Sequence, residues 1–205
     1  MDDLQRLRYD ALTRQLERMR AMQYAYHRKF FTLLLVTTLS LGLILAVPTG
    51  VTLVFLAFGL VSTAVSACFL LHFADFARTH ARFLEAQING LLGERVLVGA
   101  ELEADYFYRT NLPRPGRLSL EGPETFFSFY TLHFCTVWAG AILFAGYRLA
   151  KGLESGTFLL VLLAFTVWSA LNGAFLYRWF RGGALRRMEA QLHAAYDQDQ
   201  PPATG

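Results

Sequence analysis

The residues best suited to chemistry crowd one short stretch: His72, Asp75, Arg78, His80, Arg82 and Glu85. On a helix, spacings of three set His72 beside Asp75 and Asp75 beside Arg78. Imidazole, carboxylate and guanidinium so close together raise the idea of a membrane-bound transferase working near lipid headgroups. Nothing else in the chain supports it. No zinc-ligand spacing, HExxH, Walker sequence or GxSxG is present, and Cys68 and Cys135 form no CxxC pair. Mixed charge along a helix is ordinarily a solvated or salt-bridged face. The sequence therefore names no catalytic residue and no metal site, and the expectation is a non-enzymatic protein. With Arg178 and Arg181, the set His72, Asp75, Arg78 and His80 reads as a membrane-interface cluster.

A second constellation is His72 with His133, since two imidazoles on neighbouring helices can ligate a b-type haem. His72 lies one residue from the end of its apolar run and His133 seven residues into the next. For upright helices that is a depth difference of roughly 10 Å. Haem is accordingly a minor alternative, and the expectation is no cofactor. A third set is small or mildly polar: Gly59, Ser62 and Ser66, then Thr136 and Gly140, then Thr166, Ser169 and Gly173 with Asn172 alongside. Such faces let helices approach closely and exchange hydrogen bonds. In an oligomer they are also able to line a pore without fixed charge, which makes a channel gated from the cytoplasmic side the main alternative function.

These residues sit on four long uncharged runs. Over 205 residues the chain is 54% apolar, 15% aromatic and only 17% charged. Phe30 to Val47, Val51 to Phe73, Phe126 to Tyr147 and Thr157 to Tyr177 each lack Asp, Glu, Lys and Arg. Eighteen such residues extend roughly 27 Å as a helix, enough for the hydrocarbon core. Barrel strands would alternate apolar and polar residues, and these runs do not. The fold class expected is an all-α integral membrane protein, with four transmembrane helices as two antiparallel hairpins (30–47 with 51–73, and 126–147 with 157–177). Ion-coupled carriers bury ionisable groups at depth, and the absence of any in these runs argues against a cation-driven transporter.

Seventeen of the 19 Lys and Arg residues fall in segments 1–29, 74–125 and 178–205, leaving only Arg148 and Lys151 between the last two runs. Basic residues collect on the cytoplasmic side, so both termini are expected there, in a cell inner membrane of bacterial type. The long charged segment ahead of the first run does not resemble a cleaved signal. The formal charge of +3 suits anionic headgroups, and no nucleic-acid motif is visible.

The cytoplasmic parts read as amphipathic helices. Residues 3–29 lack Gly and Pro and carry an apolar docking stripe at Tyr9, Leu12, Leu16, Met19 and Tyr26. With no breaker before the first span, one rod of about 45 residues is predicted. Its stripe can be covered by self-association, by the other cytosolic helices or by the membrane surface. The Asn89-Gly90 pair predicts a break, followed by a second helix from Leu91 to Tyr108 and a Pro- and Gly-containing loop over 111–123. A short helix to about Tyr196 and a disordered tail, DQDQPPATG, complete the segment 178–205. LEAQI at 84–88 and MEAQL at 188–192 hint at an internal repeat, each placing Glu 12 residues past the end of a run. The partners expected are the bilayer and either further copies of the chain or the other subunits of a larger membrane complex.

Overall fold

The computed structural model describes residues 3–99, 102–103, 126–181 and 183–197. Five helices account for most of them: α1 (Asp3–Ala46), α2 (Gly50–Leu92), α3 (Phe126–Gly152), α4 (Ser155–Arg181) and α5 (Ala184–Asp197). The first four are long and apolar enough to cross a membrane. The later part of the helix expected over 91–108 lies outside the described residues, as do the loop over 111–123 and the tail beyond Asp197.

α1 and α2 are single unbroken rods of 44 and 43 residues, each roughly 65 Å long. Pro48 separates them, because it has no N–H to continue the ladder. Thr49 then starts α2 through a capping box with Thr52. The Thr52 amide donates to Thr49 Oγ1 at 3.2 Å, and the Thr49 amide to Thr52 Oγ1 at 2.9 Å. Paired residues show that the rods run in opposite directions, since Tyr26 stacks on Phe73 and Arg20 meets Glu85. α2 touches all four other helices.

Two cores lie along this rod pair. Within the apolar runs, Phe30, Leu34 and Leu41 of α1 pack with Leu53, Leu56, Leu60 and Ala67 of α2 and with Trp138, Ala141, Ala145 and Leu149 of α3. Beyond the runs, on the side carrying both termini, Leu12, Leu16 and Met19 of α1 pack with Ala81, Leu84 and Ile88 of α2. Leu84 and Ile88 are fully buried. The apolar stripe of α1 is thus covered by α2.

α3 and α4 are attached differently. No residue in the most apolar stretch of α4 is buried. It meets α2 through a column of ring contacts, Phe165 on Phe58, Phe175 on Phe69 and Trp179 on His72, with centroids 5.5, 5.7 and 5.1 Å apart. The link expected between these two runs was nine residues. Helix continues past both uncharged runs, and only Leu153 and Glu154 separate α3 from α4. Charge ended the runs at Arg148 without ending the helix, because backbone hydrogen bonds do not require an apolar side chain.

The end of α2 also departs from expectation. Asn89-Gly90 is not a break, and the helix continues to Leu92 and stops at Gly93, whose φ of +70° is the left-handed conformation favoured by glycine. Residues 94–98 are irregular, so the expected helix does not start at Leu91, although Gly99, Leu102 and Glu103 are helical.

Candidate functional site

The terminal side of the α1–α2 pair holds the buried polar groups among the described residues: Gln23, His80 and Glu85. Each is matched by a partner from another element. Glu85 is ion-paired with Arg20 across the rods. Gln23 Nε2 donates to Glu103 Oε2 at 3.3 Å, and His80 Nε2 lies 2.8 Å from the Tyr196 hydroxyl of α5. The chain leaving α2 is brought back by Asn89, whose Oδ1 accepts from the Val96 and Leu97 amides at 3.0 and 2.8 Å while its Nδ2 donates to Leu97 O at 2.7 Å. Gly99 passes so close to the Arg20 guanidinium that a Cβ would lie 2.5 Å from Nη2, so the long side chain would have to shift for any other residue.

The interface cluster divides into three. Asp75 and Arg78 form an ion pair at 2.9 Å. His72 turns its ring edgewise onto Trp179, and His80 faces Tyr196. Arg178 is exposed, and Arg181 lies over the Tyr177 ring at 5.3 Å. The dense packing around Asp75 pushes its carboxyl above the ordinary range even though 43% of the side chain stays accessible, with Arg78, His72 and His27 pulling it back. Burial pushes the His27 imidazole down, and Asp75 opposes that. On the same side, Tyr26 carries Lys29 over its ring at 5.0 Å, the aromatic and basic pairing of a membrane boundary.

Most hydroxyl and amide groups on the polar faces of the spans bond within their own helices. Ser62 and Ser66 donate to Phe58 O and Ser62 O at 3.0 Å. Thr136 donates to Leu132 O at 2.9 Å, and Asn172 Nδ2 to Trp168 O at 2.8 Å. The enclosed Ser169 hydroxyl has no partner among the described residues. Gly140 and Gly173 face open space, with nothing within 4 Å of an added Cβ, so neither serves close packing inside one chain. His133 is exposed on α3.

No protein-family model, curated protein or solved structure matches this chain. In the docking stripe Leu12, Leu16 and Met19 are buried, while Tyr9 and Tyr26 are half-buried. Gln23, seven residues past Leu16, keeps the stripe's period and is buried, yet a search for apolar side chains passes over it. Large apolar residues exposed on the terminal side include Leu4 and Leu7 at the start of α1, Leu92 and Val96 where α2 ends, Tyr24 further along α1, and Leu102. Leu4 and Leu7 are 76% and 68% exposed. Their spacing of three was the signal available, but two residues are too few to define a stripe. The two EAQ segments differ in environment: Leu84 and Ile88 are fully buried beside a buried Glu85, whereas Met188 and Leu192 pack beside an exposed Glu189.

Proposed function

We propose that this chain is a non-enzymatic, multi-pass subunit of the cell inner membrane, with cytoplasmic termini and its spans arranged as two antiparallel hairpins. In this reading the α1–α2 pair carries a docking tip into the cytoplasm. The observation that carries it is the pairing of a rod whose long stripe is already covered with a tip whose Leu4, Leu7, Leu92 and Val96 are not. Exposed apolar residues at the end of a stiff support suit capture of a partner subunit or of a second copy. The open faces at Gly140 and Gly173 allow further helix–helix contact within the bilayer. A pore is the less favoured reading, since the hydroxyls of Ser62, Ser66 and Thr136, which would help to line it, are already bonded to their own backbones.

Removing residues 1–26 is a poor test, because it would uncover Ala81, Leu84 and Ile88 of α2. The double substitution Leu4→Glu with Leu7→Glu leaves that core alone. In mild detergent it is expected to lower the native mass, or to strip copurifying proteins from the chain, with helix content retained. A native mass and a set of copurifying proteins equal to those of the unsubstituted chain would overturn the docking reading.

A further inference from the structure

α5 is joined to α4 through Gly182 and Gly183, and Gly183 has a φ of +67°. Its buried residues are Met188 and Leu192, four apart, and Tyr196 follows after another four. Tyr196 and the neighbouring His193 lie against α2, where Phe83 meets them with centroids 4.9 and 5.0 Å apart. The apolar anchorage is small beside the α1–α2 core. What distinguishes the contact is polar: the buried His80 meets the Tyr196 hydroxyl through Nε2, while its Nδ1 is enclosed with no partner among the described residues.

We propose that the α5–α2 contact is a proton-released latch, in which protonation of His80 lifts α5 off α2 and opens the face formed by Phe76, His80 and Phe83. A neutral imidazole has one N–H and one lone pair, so a single hydroxyl partner leaves one nitrogen unused. An imidazolium has two N–H donors, and here it finds one hydroxyl. Among the described residues, the groups facing His80 are Tyr196 from α5, Gln15 of α1 through its bond to that hydroxyl, and Phe76 of α2 itself. None of these is a carboxylate. His193, across Phe83, is the other titratable group in the contact. Burial holds His80 below its ordinary value of 6.5, and it holds the Tyr196 hydroxyl above its own, so the tyrosine stays protonated throughout. A docked state that binds a proton more weakly than the released state is fully favoured above pH 6.5 and loses that advantage as the pH falls below it. A shift confined to burial moves the docking equilibrium by at most about tenfold for each pH unit below that point.

The test is hydrogen exchange of α5 in the full chain, held in lipid nanodiscs at pH 7.5 and pH 5.0 and corrected for intrinsic exchange rates. Protection over 184–197 is expected to fall at the lower pH, by at most about 30-fold, while residues 81–92 keep theirs. His80→Gln, which cannot take up the proton, should remove the pH dependence, and His193→Gln should keep it. Pure pH-independence in the unsubstituted chain, or loss of the effect with His193→Gln alone, would overturn the latch. Should His80→Gln fail to seat α5 even at pH 7.5, an NMR titration of His80 in the intact chain decides: a value at or above 6.5 sinks the proposal, and a lower one supports it.

Discussion

The two halves of this chain bury their apolar residues by different means. α1 and α2 cover each other along nearly their whole length, and outside the apolar runs they build a core with Leu84 and Ile88 fully enclosed. α4 buries nothing in its most apolar stretch and rests on α2 through separate ring contacts. A helix that lies in hydrocarbon need not be covered by protein, whereas one that extends into water must be. The contrast locates the part of the molecule whose shape depends on side-chain packing.

Four substitutions sharpen that contrast. The largest effect is expected at Leu84, where truncation to Ala should destabilise the α1–α2 contact by about 2–5 kcal/mol. Leu163→Ala on α4, a residue 62% exposed, should stay within about 0.5 kcal/mol of the unsubstituted chain. Equal losses in a denaturant series would erase the distinction between the halves. Next in size, Arg20→Ala removes the guanidinium partner of the buried Glu85 and should cost about 1–3 kcal/mol. A double-mutant cycle with Glu85→Gln checks this, and additivity would show that the pair contributes nothing across the rods. Of the changes expected to cost stability, the least is Asn89→Ala, at about 1 kcal/mol or a little more. Faster amide exchange should appear at Val96 and Leu97 and leave Leu12 and Leu16 unchanged. Spread of that effect into the α1–α2 core would mean that the returning chain helps to hold the rods together.

The spans were legible because a run of 18 or more uncharged apolar residues has few other uses. The covered stripe was legible in its period, at Leu12, Leu16 and Met19, although three ways of covering it were open. What escaped was pairwise and distant. His80 and Tyr196 lie 116 residues apart and share no periodicity, and Arg20 with Glu85 looks like two ordinary solvated charges. Asn89 was misjudged for a different reason. Its neighbour Gly90 suggested a break, but its side chain forms bonds to residues seven and eight positions on, while the helix itself ends at Gly93. Within the interface cluster, spacing correctly paired Asp75 with Arg78, but it gave no sign that His72 and His80 turn toward different helices.

α1 passes from its charged half into its apolar half without a break, with no proline or glycine between Asp3 and Leu41. A helix of this kind behaves as a lever. Residues 3–29 extend roughly 40 Å beyond the first apolar run, so a tilt of about 10° where the rod emerges would carry Leu4 and Leu7 sideways by about 7 Å. Bilayer thickness and neighbouring spans set such tilts. The far end of the rod would thus report in ångströms what the membrane does in degrees.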